Sequence, residues 1–216
     1  MALHILNERL WFPSTEEALE DGLLAIGGDL SVERLLLAYR KGIFPWYDGK
    51  APLWWSPNPR FVLLPDELVI SKSMKTLLKR DTFEFTINKD FTAVINACKD
   101  TERKGQDGTW IKQEVAKAYT ELHNLGYAHS AEAWQDGILV GGLYGIRMGK
   151  IFFGESMFSH RSNASKYAFI KYVQELKKEG VLLIDCQVYT EHLESLGAKM
   201  ILRQQFTHFL EQLIDK

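Results

Sequence analysis

Cysteine is scarce in this chain of 216 residues, with Cys98 and Cys186 the only two. They form no CxxC pair and are too few for a disulfide framework or a four-ligand zinc site, so a reducing, cytoplasmic setting is expected. The six histidines are scattered without HExxH-like spacing, and no metal is expected. Long apolar runs are also missing. The longest, such as residues 181–184, fall far short of the roughly 20 residues that a membrane helix needs. The opening MALHILNERLWF has no basic segment followed by a long apolar one, so no secretory signal is expected. Nor does one sign of charge dominate: 26 Lys and Arg against 28 Asp and Glu leave −2. That balance argues against a protein that coats nucleic acid nonspecifically, so any polyanion must be met by a local patch.

With 46% hydrophobic and 25% charged residues, the chain is long enough to bury a sizeable core in one large domain or two modest ones. Residues 1–62 are rich in Trp, Phe, Pro and Gly and read as short strands and turns around one helix. Ser31 caps that helix, Leu35, Leu36, Ala38 and Tyr39 give it an apolar face, and Gly42 ends it. Residues 63–216 alternate helix and strand. Helices are expected at 71–80, 90–99 and 111–124, then strands at 128–134, 138–147 and 150–158. The turn pairs Asp136-Gly137 and Met148-Gly149 make those strands an antiparallel meander. A long helix over 163–178, an apolar strand over 181–188, a short helix over 191–196, a strand over 200–203 and a helix over 206–214 complete the chain. The expected class is α+β, with a small N-terminal domain (1–62) and a larger C-terminal domain (63–216).

Three features point to chemistry. In SKSMKTLLKR, Lys72, Lys75 and Lys79 share a helical face with Arg80 beside them, opposite Met74, Leu77 and Leu78, and no acid interrupts. Such a stripe either contacts phosphates or is simply a solvated face. Trp46, Trp54, Trp55 and Trp110 lie beside Pro or Gly, where an indole either stacks on an unpaired base or packs a small core. On the strand VLLIDCQV, alternation puts Asp185 and Gln187 on one face and Ile184, Cys186 and Val188 on the other. An acid in so apolar a run is costly unless paired or functional. Glu155 is a second acid on an aromatic strand, preceded by Gly154, which permits a bulge. Two such acids lining one pocket would suit a cationic substrate. Cys186 is not read as a nucleophile: it points away from Asp185 and has no nearby histidine in sequence to activate it.

The stretches GLLAIGGDL (22–30), YRKGIFPW (39–46), WWSP (54–57), GTWI (108–111), GESMF (154–158) and IDCQV (184–188) resemble, in order and over nearly the whole chain, the motifs of leucyl/phenylalanyl-tRNA–protein transferases. The resemblance implies an N-terminal domain joined to a C-terminal domain of acyl-CoA N-acyltransferase (GNAT-like) fold. It implies transfer of Leu, Phe or Met from aminoacyl-tRNA to proteins beginning with Arg or Lys, which marks them for the N-degron pathway. By position it makes Asp185 and Gln187 the catalytic pair and gives Glu155 the acceptor's first residue. Trp46 and Trp110 would contact the aminoacyl-adenosine. Leu143, Phe153, Met157, Phe158, Phe169 and Tyr172, with Ser165 close by, would wall the side-chain pocket, and Lys72, Lys75, Lys79 and Arg80 would meet the tRNA backbone.

The implied reaction is aminolysis of an activated ester, so no cofactor, metal or ATP is expected. Asp185 is expected to orient Gln187 and to ease loss of the ammonium proton, with Gln187 as positioner or relay. Two rivals stand beside this reading. One is an acetyl-CoA-dependent N-acyltransferase, weakened because residues 161–166 (RSNASK) have no glycine for a pyrophosphate loop. The other is a noncatalytic RNA-binding module, which would need the basic helix and tryptophans but neither acid.

Overall fold

Turn chemistry sets the middle of the larger sheet. In the computed structural model, which describes residues 3–101 and 111–214, Asp136 and Gly137 both take left-handed angles (φ 53° and 75°). A two-residue hairpin needs this geometry, and it joins β7 (Ala128–Gln135) to β8 (Ile138–Met148). Gly149 (φ 55°) then turns β8 into β9 (Ile151–Ser159). The three strands pair antiparallel, as the turn residues predict.

From β9 the chain crosses over through α5 (Ala164–Lys178) and returns as β10 (Leu183–Gln187), parallel to β9. β5 (Arg60–Leu63) lies antiparallel to β10, and β11 (Lys199–Ile201) closes that edge. At the other edge β6 (Glu84–Ile87) pairs with β7, giving the order β11-β5-β10-β9-β8-β7-β6. β6 was not anticipated: it has only four residues, none buried, so its local signal is weak. The division expected at 62 falls inside β5, and residues 56–59 connect the two sheets.

Both faces of this sheet are covered. α5 buries Tyr167, Ala168, Ile170, Val173 and Leu176 on one face, with α2 (Lys72–Lys79) packed beside it. α3 (Phe91–Asp100) and α4 (Gln113–Asn124) cover the other. After β10 come α6 (Glu191–Glu194) and α7 (Arg203–Leu213). α7 begins three residues before the expected start, and Arg203, expected in a strand, opens it. The Arg203 guanidinium donates to the Ser56 carbonyl (2.8 Å), tying this helix to the inter-sheet connection.

The N-terminal sheet contains β1 (His4–Leu6), β2 (Leu23–Gly27), β3 (Phe44–Pro45) and β4 (Leu53–Trp55), in the order β1-β2-β4-β3. α1 (Val32–Arg40) sends Leu35, Ala38 and Tyr39 into the same apolar cluster as Val94, Tyr119, Phe153 and Phe206 of the larger unit. The two sheets therefore stand on one continuous core. The resulting class is the expected one, α+β, with a four-stranded N-terminal sheet beside a seven-stranded C-terminal sheet.

Candidate active site

β9 and β10 pair only as far as Phe153 and Asp185. Beyond that point each strand is bent. On β9, Ser156 opposes Tyr144 and Gly154 opposes Gly145, which leaves Glu155 as the extra residue of a bulge. Gly145 permits the close approach: a Cβ there would lie 2.2 Å from the Phe153 carbonyl oxygen, whereas one at Gly154 would have ordinary contacts. On β10, Gln187 is left-handed (φ 58°) and the register against β5 slips between Asp185 and Gln187. A cavity of about 580 Å³ opens between the two strand ends, a size typical of small-molecule sites. Strict alternation does not survive the β10 irregularity, and all of residues 184–188 touch the cavity.

Asp185 is fully buried and gives both oxygens to Arg60, at 2.8 Å (Nε to Oδ1) and 2.7 Å (Nη2 to Oδ2). Arg60 is itself buried between the rings of Phe44 and Phe206, 4.8 and 4.6 Å from their centroids, and donates to the Gly42 carbonyl. This pairing offsets the desolvation that a lone buried charge would suffer. Asp185 Oδ1 also accepts the main-chain N–H of Gln187 at 3.0 Å. The carboxylate therefore orients the backbone of Gln187 rather than its carboxamide, and its charge is already balanced by Arg60. The Gln187 side chain is 8% exposed, and its Nε2 has no hydrogen-bond partner among the described residues. Such a buried donor is costly unless a ligand completes it.

Glu155 lines the same cavity. Tyr39 from α1 donates to its Oε1 (2.7 Å) and Tyr119 from α4 to its Oε2 (3.0 Å). Burial pushes the Glu155 carboxyl up to about 7, against the pull of the two phenol hydrogen bonds.

The apolar wall is formed by Leu143, Met157, Phe158 and Phe169, with Ser165 among them. Phe44, Pro45 and Trp46 reach the cavity from the N-terminal sheet. Trp46 is partly exposed and tilted against Trp55, whereas Trp54 is fully buried, with its Nε1 on the Gly27 carbonyl. Trp110 lies outside the described residues. Phe153 and Tyr172 are not at the cavity. Phe153 sits where β9 and β10 are still paired and packs on Tyr39, and Tyr172 packs on Phe152 in the core below α5. Cys186 does border the cavity, but burial raises its thiol far above the usual range, so it stays protonated. On α2, Lys72, Lys75, Lys79 and Arg80 are exposed while Met74 is buried, the division read from the spacing. No cluster of metal-binding type occurs among the described residues, and no helix there is long and apolar enough to cross a membrane.

Arg60, Tyr39, Tyr119 and Tyr144 were not picked out as site residues. Arg60 did leave a signal, a charge opening the apolar stretch RFVLL. The tyrosines left none, because each looks like an ordinary apolar-face residue of its element.

Two family models match the chain. One is described as leucyl/phenylalanyl-tRNA protein transferase and covers residues 62–211; the other, its N-terminal domain, covers residues 28–58. The chain is 56% identical over 210 residues to the leucyl/phenylalanyl-tRNA–protein transferase of Flavobacterium johnsoniae, which spans 97% of this chain and 99% of that one. It is 54% identical over 212 residues to the protein of the same name from Azotobacter vinelandii, covering 97% and 93%. Among solved structures, L-PGS from Bacillus licheniformis aligns with a TM-score of 0.42 at 14% identity, covering 80% of this chain and 57% of that one.

Proposed function

The chain belongs to the leucyl/phenylalanyl-tRNA protein transferase family, and from that premise we propose that it moves leucine or phenylalanine from charged tRNA onto proteins whose first residue is arginine or lysine. The modified protein is thereby marked for degradation, and the reaction takes place in the cytoplasm. One observation carries the reading: a single cavity with an apolar wall (Leu143, Met157, Phe158, Phe169) facing an acid and an unpartnered amide, Glu155 and Gln187. The wall suits a Leu or Phe side chain, and the acid suits a cationic amino terminus.

In this reading Trp46 stacks on the terminal adenosine, and the exposed cations of α2 meet the tRNA backbone. Glu155 holds the acceptor's first residue. Gln187 is too weak a base to remove a proton. Its free Nε2–H donor serves an oxygen of the ester, where charge develops as the amine attacks. Asp185 acts by fixing the left-handed turn that aims Gln187. Holding amine and carbonyl together supplies several kcal/mol more.

The test is transfer of labelled leucine from tRNA to a peptide beginning with Arg. Wild-type protein should catalyse it, and Gln187→Ala should slow it by about 100-fold, the scale for loss of one such donor. Acetylation of the peptide from acetyl-CoA, without leucine transfer, would overturn the reading. So would tRNA binding that is left intact with no transfer to any peptide.

A further inference from the structure

Glu155, Tyr39 and Tyr119 make three mutual contacts: Tyr39 to Oε1 at 2.7 Å, Tyr119 to Oε2 at 3.0 Å, and phenol to phenol at 2.5 Å. Three hydrogen bonds need three hydrogens. Burial first, and the charge of Glu155 second, hold both phenols well above the ordinary range, so each brings one hydrogen. When the third hydrogen is on Glu155 the ring closes, Oε2–H donating to Tyr119, Tyr119 to Tyr39, and Tyr39 to Oε1. Without it, both phenols donating to the carboxylate would set two bare oxygen lone pairs against each other at the phenol–phenol contact. A relay from Tyr119 to Tyr39 to Oε1 moves the hydrogen-free contact to the longest of the three, Tyr119 to Oε2 at 3.0 Å, and leaves Oε2 able to accept an N–H from the cavity. The trio therefore has two states that differ by one proton, a closed ring and a relay with one carboxylate oxygen open to the cavity.

Resting on the functional reading above, we propose that Glu155 is the catalytic residue that takes the proton of the acceptor's α-ammonium, with Tyr39 and Tyr119 as positioning residues for its two states. The Glu155 carboxylate accepts one proton from R–NH3⁺, which frees the nitrogen lone pair. That pair forms the C–N bond at the ester carbonyl carbon. The C–O bond to the ribose breaks with its electrons on oxygen, which takes the surplus proton of the nitrogen. Glu155 then returns its own proton to solvent.

The other cavity groups are less suited. Asp185 has both oxygens on Arg60, Gln187 is not basic, and the Cys186 thiol is raised by burial. The Glu155 carboxyl, at about 7, is close to the α-amine's unperturbed value of about 8. The groups that bear on it are Tyr39 on α1, Tyr119 on α4, Asp185 on β10 and Arg60 on β5, with Tyr144 on β8 against Tyr119. His192 on α6 borders the same cavity and is the rival base.

The experiment is kcat/KM for an Arg-initiated peptide, at saturating charged tRNA, across about pH 5.5 to 8.5. Wild type should give a bell, rising through about pH 7 as Glu155 ionises and falling above about pH 8 as the ammonium is lost. Glu155→Gln should be slower by about 100-fold and should only rise with pH, following the free amine. Tyr39→Phe should move the acid limb to higher pH, because it removes the donor to Oε1 that favours the carboxylate. Loss of packing alone would lower the rate without moving that midpoint. An acid limb kept in Glu155→Gln, or abolished in His192→Gln, would overturn the proposal. Absence of leucine transfer by wild type at every pH would instead bring down the functional reading, and this proposal with it.

Discussion

At the residue scale the site depends on an ion pair that substrate does not need to touch. Arg60 donates two hydrogen bonds to Asp185 out of contact with water. Removing one partner strands a buried charge, which costs about 3–5 kcal/mol, whereas replacing both with apolar groups is often nearly neutral. Arg60→Met should therefore lower stability by that amount in urea denaturation, and Arg60→Met/Asp185→Leu should recover most of the loss. Transfer should stay low in the double variant, because the Gln187 N–H then lacks its acceptor. A single-variant cost below about 1 kcal/mol would mean that the pair carries no such load. Asp185 was visible in the sequence as an acid that had to be paired or functional. Its partner was not, since 125 positions separate the two and no local pattern links them.

At the element scale, the turns were legible and the bulges were not. Asp136-Gly137 and Met148-Gly149 announce their hairpins because backbone angle and residue type are coupled locally. The bulge at Glu155 depends instead on how near β8 comes to β9, which only the folded sheet defines. Gly154 looked like the permissive residue, but the tight approach belongs to Gly145 on the neighbouring strand. The same limit applies to Phe153 and Tyr172, whose aromatic character fits a pocket wall although the strands are still closed at their level. A methyl group at Gly145 must displace Phe153 backbone and the Phe152 ring. Gly145→Ala should thus cost at least about 1–3 kcal/mol, a fall of about 2–4 °C in Tm per kcal/mol for a chain of this size. It should also reduce transfer by shifting Glu155. Gly154→Ala, with nothing nearer than 3.6 Å, should stay within about 1 kcal/mol of wild type. Equal losses at the two glycines would show that the bulge is not set by that approach.

Across the whole molecule, the charge balance and the proposed partner pull in opposite directions. A net charge of −2 gives no general attraction for a polyanion, so tRNA binding has to rest on a local field. α2 supplies one. Lys72, Lys75, Lys79 and Arg80 are exposed and take part in no ion pair among the described residues, while the nearby Asp81 is engaged by Lys171 on α5 at 3.5 Å. α2 also packs beside α5, which carries Ser165 and Phe169 to the cavity, so part of the cavity wall lies on the same face of the sheet as the cations. Each phosphate contact that releases a counterion adds about 0.7–0.9 to the slope of log K against log salt. Replacing Lys72, Lys75 and Lys79 with Gln should therefore flatten that slope by about two to three units for intact charged tRNA. Binding of an aminoacyl-adenosine fragment, which lacks the backbone phosphates, should hardly change. If the slope stays at its wild-type value, these lysines form only a solvated face, and the tRNA backbone must find its cations elsewhere on the chain.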